Sequence, residues 1–279
     1  MHAHRRFALL VTALAIATAC GGDGSVTDPG VTPPPPPPPA QVQLKEIAID
    51  RLPSPFYHFD YDATGRVAGA SYASGLTNYT VSYLGDRIRE MKNIAVSNGD
   101  RIVYAYDSDG RVAGVRYVNA GGATFTIVVY IYEGEKLVEV ERDKAVEGGF
   151  IIDKTISLTY WPDGNLKTLA EHRPKIDGFQ DETNGVVTFD QYDTGINVDG
   201  FGLIHDDFFD HFVLLPGVVL QKSNPRRETR TGDGLTYVVD YTYAYDGAGR
   251  PVTKTGDLVI TGGGQVGTHV QTRSAFTYY

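Results

Sequence analysis

Tyr106 to Val112 reads YDSDGRV. Tyr61 to Val67 reads YDATGRV, and Tyr245 to Pro251 reads YDGAGRP. Each is a tyrosine that ends an alternating run, followed by turn chemistry. In Arg101–Tyr106, Ile102, Tyr104 and Tyr106 share one face, with Val103 and Ala105 on the other. Tyr79, Val81 and Tyr83 alternate in the same way, as do Ile156, Leu158 and Tyr160, and Tyr241, Tyr243 and Tyr245. A period of two with aromatic and β-branched residues on one face marks a β-strand.

The turns come in two kinds. In the long kind an Asp opens a type I turn, because its carboxylate accepts from nearby backbone N–H groups. A Gly then takes the left-handed conformation that a following bulge requires. The structural turn residues are therefore Asp62 and Gly65, Asp107 and Gly110, Asp246 and Gly249, with Gly164 in the altered copy Tyr160-Trp161-Pro162-Asp163-Gly164-Asn165. The short kind, at Gly85-Asp86 and Gly134-Glu135, suits a two-residue II′ turn. Tyr61, Tyr83, Tyr106, Tyr132 and Tyr160 are spaced by 22, 23, 26 and 28 residues, with long and short turns alternating. Each unit is a hairpin, and a lone hairpin is marginal, so the units must stack into a sheet. The expectation is an all-β fold. It is an antiparallel meander of repeated hairpins forming a large curved sheet, with a short helical insertion near 200–212.

The N-terminus sorts differently. Arg5 and Arg6 precede the apolar run Phe7–Ala19, which is short for a membrane span of about 20 residues and suits a signal peptide over 1–19. Residues 20–43 are rich in Gly, Asp, Thr and Pro, and Pro33–Pro39 is unbroken. Such a run forms a stiff polyproline rod, read here as a tether that lifts a β domain at 44–279 off a membrane. The formal charge is −9, and removing Arg5 and Arg6 with the signal makes it −11. That balance argues against a nucleic-acid partner, which favours a basic patch.

Ala17-Thr18-Ala19-Cys20-Gly21 contains the chain's single cysteine. It resembles the lipobox of bacterial lipoproteins, with Ala17 where that family usually carries leucine. The resemblance implies cleavage before Cys20, lipidation of that cysteine and attachment to a membrane. Gly21 in place of an Asp implies the outer membrane, with the side it faces left open. The hairpin motif is similar to the YD repeats of bacterial RHS-type proteins, carried at Tyr61, Tyr106 and Tyr245. The whole order, through Tyr192-Asp193, Phe208-Phe209, Leu215-Pro216 and Ser223-Asn224, resembles an uncharacterised family of cell-envelope lipoproteins with degenerate YD-like hairpins. That family supplies no catalytic residues.

Catalytic signatures are missing from the pattern: no nucleophile elbow, phosphate loop or dinucleotide fingerprint occurs, and no cofactor is expected. His58, His172 and His269 stand apart among strands and turns. Only Gln191–His211 concentrates ligand-type groups, with His205, Asp206, Asp207, Asp210 and His211 as candidate metal ligands. Their spacing matches no known metal motif. On a helix Asp206/Asp210 and Asp207/His211 would each share a face, with Phe208, Phe209 and Phe212 turned inward. The leading expectation is a non-catalytic binding or structural module held by its lipid, with an extended glycan or an envelope protein as partner. The alternative is a metal-assisted hydrolase built on 191–211. The Cys20→Ala chain is expected to leave the membrane fraction or to persist as a larger uncleaved precursor. Fractionation and gel mobility identical to wild type would remove the lipobox reading.

Overall fold

The computed structural model describes residues 42–95, 99–198 and 213–279. The signal peptide, Cys20 and nearly all of the tether lie outside them. So do His205, Asp206, Asp207, Asp210 and His211, and the helical insertion expected near 200–212. No helix occurs among the described residues.

Alternating side chains build sixteen strands. The first eight are β1 Leu44–Ile49, β2 Tyr57–Tyr61, β3 Val67–Tyr72, β4 Thr77–Leu84, β5 Arg87–Asn93, β6 Arg101–Tyr106, β7 Val112–Val118 and β8 Thr124–Glu133. The others are β9 Lys136–Val146, β10 Gly149–Tyr160, β11 Leu166–Arg173, β12 Thr183–Asp190, β13 Arg227–Gly232, β14 Thr236–Tyr245, β15 Pro251–Gly262 and β16 His269–Tyr278. Each strand pairs antiparallel with its neighbours in sequence, as hairpin repetition implies. The large curved sheet is not left as a sheet, however: β1 also pairs with β16, through Ile47↔Phe276 and Ile49↔Ser274, and it closes into a barrel. An open sheet would leave the N–H and C=O groups of both edge strands unpaired; closure removes both edges.

Register fixes the two faces. Tyr104, Val115 and Val128 lie in one row across β6–β8 and are buried. Tyr130, Val140 and Ile156 form another across β8–β10. These rows point inward and join Ile47, Phe59, Tyr79, Met91, Ile102, Leu137 and Leu166 in one core. The opposite face carries Ser82, Glu90, Val103, Arg116, Ile127 and Asp143 in register across β4–β9. Glu139, Ser157, Ala170, Val186 and Thr231 continue it across β9–β13.

The short turns have Gly85 at φ 62° and Gly134 at φ 60°, each inside a two-residue loop closed by Leu84↔Arg87 and Glu133↔Lys136. Gly249 in a long turn sits at φ 77°, while Gly247 two residues earlier does not have positive φ; a Cβ on either would meet open space. Only backbone conformation therefore separates them. Gly249→Ala is expected to cost about 1–2 kcal/mol, and Gly247→Ala to be neutral or slightly stabilising, measured as unfolding free energy in urea.

Candidate functional site

The turns after β2, β4, β6, β8, β10 and β14 lie at one rim of the barrel, with the start of β1, the end of β16 and the described parts of the insertion, 191–198 and 213–226. A tyrosine marks every even-numbered strand there: Tyr61, Tyr83, Tyr106, Tyr132, Tyr160, Tyr245 and Tyr278 within strands, and Tyr192 just after β12. A bulge directly precedes Tyr61, Tyr83, Tyr106, Tyr132, Tyr160 and Tyr245.

Seven of the eight hydroxyls donate to the backbone carbonyl at the start of the preceding odd strand. Tyr61 donates to Leu44 at 2.9 Å, Tyr83 to Val67 at 2.8 Å, Tyr106 to Ile88 at 2.9 Å and Tyr132 to Val112 at 3.0 Å. Tyr160 to Leu137, Tyr192 to Leu166 and Tyr278 to Pro251 are each 2.6 Å. Burial, its largest cause, pushes the Tyr61, Tyr132 and Tyr160 hydroxyls up to about 12, so they remain donors at any physiological pH.

The turn residues complete the clamp. Asp107 Oδ1 accepts from Asp109 N at 3.0 Å and Arg111 N at 2.9 Å, and its Oδ2 accepts from Arg111 Nε at 2.8 Å. Asp62 with Arg66 and Asp246 with Arg250 repeat this geometry. Gly65, Gly110, Gly164 and Gly249 have φ of 83°, 86°, 91° and 77°. A cation from each of these turns, long or short, covers the tyrosine of the next unit. Arg66 lies 4.3 Å from the Tyr83 ring centre, Arg87 5.2 Å from Tyr106 and Arg111 4.7 Å from Tyr132. Lys136 lies 4.9 Å from Tyr160 and Arg250 4.4 Å from Tyr278. Exposed pairs of this kind contribute about 0.5–1 kcal/mol each. Arg66 also donates to Gly85 O at 3.1 Å, and Arg111 to Gly134 O.

The third long-turn hairpin, at Tyr160, departs from this pattern where the insertion docks. Asn165 stands in the Arg position, and its Oδ1 accepts from Lys222 N at 2.8 Å and Ser223 N at 3.0 Å. Trp161 stands in the Asp position and donates Nε1 to Phe189 O at 3.0 Å. The insertion then enters the barrel: Val213, Leu214 and Leu220 are buried in the core, and Tyr104 OH donates to Leu214 O at 3.0 Å. Its two ends are tied by Asp193, whose Oδ1 accepts from Gly195 N and Asn224 N and whose Oδ2 accepts from Tyr245 OH. Buried Asn224 donates to Ile196 O at 3.1 Å and to Tyr245 OH at 3.1 Å.

Two clefts open at this rim. One of about 730 Å³ is lined by Asp109, Arg111, Tyr132, Gly134, Glu135 and Gly217. The other, of about 530 Å³, is lined by Trp161, Pro162, Asp163, Asp190, Gln191 and Tyr192. Neither was picked out in the sequence. The substitution of Trp for Asp inside a repeated motif was the available signal. A buried ion cluster on β9 and β10 was missed as well. Fully buried Asp153 receives Arg142 Nε and Nη2 at 3.0 Å each, with Lys144 Nζ at 3.1 Å. Arg142 shares a face with buried Val140.

No protein-family model matches the chain, and no curated protein matches it. Among solved structures, a porin-like protein from Bacteroides uniformis superposes with a TM-score of 0.55 at 16% identity, over 86% of this chain and 96% of that one. A porin-like protein from Bacteroides vulgatus gives 0.54 at 14% identity, over 85% and 99%. The chain shares their barrel fold.

The rim carboxylates generate an acid dependence. Asp62 is held low chiefly by the Thr64 hydroxyl and the Arg66 N–H, and Asp246 by the Arg250 N–H and guanidinium. At Asp107 desolvation pushes up, but the N–H and guanidinium of Arg111 outweigh it. A folded pKa below the unfolded one, about 3.9 for Asp, gives stability that is present above it. That stability is lost as pH falls through the folded pKa. The thermal midpoint, followed by circular dichroism, is expected to drop below pH 4. An Asp62→Asn/Asp107→Asn/Asp246→Asn chain, less stable at pH 7, should lose less between pH 5 and pH 2.

Proposed function

We propose that this chain is a lipid-anchored protein of the cell envelope, held at the outer membrane through Cys20, whose barrel stands in water as a non-catalytic binding module. The observation that carries the reading is the polarity of the wall. A barrel that spans a bilayer turns an apolar band about 25 Å tall outward and keeps polar groups inside. Here Glu90, Arg116, Asp143, Glu139 and Glu141 face outward while Phe59, Tyr79, Met91 and Ile102 pack inward. Charged groups on a lipid-facing wall cost about 2–4 kcal/mol each at the bilayer centre for Arg or Lys. Attachment through an acyl chain and a stiff tether requires no such wall.

A pore is the reading that the porin-like neighbours raise. The inward rows form one largely apolar core here, which also holds the Arg142–Asp153 pair, and Val213, Leu214 and Leu220 of the insertion add to it. That arrangement supports a filled barrel with binding surfaces at its rim. The likeness of the hairpins to YD repeats of envelope proteins points the same way, and the partner proposed is an extended glycan or an envelope protein. The metal-assisted hydrolase rests on His205, Asp206, Asp207, Asp210 and His211, which lie outside the described residues.

The chain from Gly21 onward, made without signal peptide or lipid and purified without detergent, is expected to be monodisperse in buffer and to give no conductance steps in planar bilayers. A requirement for detergent, or reproducible conductance, would overturn the reading of a water-immersed barrel.

A further inference from the structure

Asn165 has a clear structural reason to depart from the repeat, because its side chain holds the returning insertion. The exchange at Trp161 does something else: it places the chain's one tryptophan at the edge of a cleft. The cleft's volume, about 530 Å³, falls among those of small-molecule sites, roughly 300–1,000 Å³. Lys167 sits 4.7 Å from the centre of the indole, and the ring also borders the cleft beside Pro162 and Tyr192.

Two further observations point to a ligand that donates hydrogen bonds. Asp190 Oδ1 is buried and has no hydrogen-bond partner among the described residues. Buried acceptors are nearly always satisfied, and an orphan one calls for an absent donor. Next to it, Gln191 holds φ at 56°, a left-handed conformation that few non-glycine residues adopt. Such backbone outliers gather at ligand sites.

The carboxylates around the cleft have cationic neighbours. Lys222, which donates to the Asp163 backbone carbonyl at 3.3 Å, helps to hold the Asp163 carboxyl low, and Arg227, paired with Asp240 at 2.7 Å, also feels the charge of Asp190. A strongly charged ligand finds no uncompensated partner. Aromatic rings beside carboxylate and amide groups suit the apolar faces and hydroxyl edges of a sugar. We infer that the cleft lined by Trp161, Asp163, Asp190, Gln191 and Tyr192 binds an uncharged saccharide chain. A sugar ring lies against Trp161 and a hydroxyl donates to Asp190. The inference rests on the reading of the barrel as a binding module and names the ligand class of its rim.

Trp161 is the only tryptophan, so its emission reports on this cleft alone. The mature chain in detergent is titrated with cello-, malto-, manno- and chito-hexaose. Oligogalacturonate serves as the polyanion and chitosan hexamer as the polycation. At least one neutral hexaose is expected to change the emission saturably. Asp190→Ala is expected to weaken that binding about tenfold, the size of one lost hydrogen bond. Trp161→Phe is expected to weaken it as well, read by titration calorimetry, while circular dichroism confirms that both variants are folded. No response to any neutral hexaose at millimolar concentration, a response to the charged oligomers only, or unchanged affinity in both folded variants would each overturn the inference. Those results leave the water-immersed barrel standing, because its test is solubility and conductance without any sugar.

Discussion

The structure depends on one recurring bond, a tyrosine hydroxyl at the end of an even strand donating to a carbonyl at the start of the strand before it. Hairpins are local and form from their own turns. What joins one rim hairpin to the next at this end is that hydroxyl, with the cation from the earlier turn laid over the same ring. Asp107 shows how the parts interlock: one carboxylate oxygen shapes the turn, and the other aims Arg111 at Tyr132. The motif thus ties a turn to its neighbour, and its period counts out the barrel.

This explains which parts of the fold were legible. The Asp and Gly of a long turn act within four residues, so their chemistry is written locally. The short turns are equally local. Closure was not legible, because it needs β1 and β16 to meet, and neither carries a distinctive motif. Tyr192 and Tyr278 belong to the rim but did not count among the hairpin tyrosines, for different reasons. Tyr278 ends its strand with no turn beyond it. Tyr192 is followed by Asp193, whose carboxylate binds Gly195, Asn224 and Tyr245 in place of an Arg four residues on.

The site was legible only by its exceptions. Trp161 and Asn165 break a pattern that its sister turns keep, and both breaks fall where the insertion returns. The buried pair Arg142–Asp153 was harder to place. Period two puts Arg142 beside Val140, yet β9 carries apolar and charged residues on both faces, so the pattern alone does not say which one turns inward. A charged pair held at 3.0 Å in the interior stands on its mutual satisfaction, since removing one partner would strand the other.

The seam between β1 and β16 has a consequence for how the protein is made. Fifteen of the sixteen strand pairings join strands consecutive in sequence, so most of the wall can zip together as the chain emerges. The last pairing brings Ile47 to Phe276, about the longest separation that the chain allows. Until that step the nascent protein exposes two unpaired edges, each a template for joining another copy. Its vulnerable interval is therefore set by the arrival of the final hairpin.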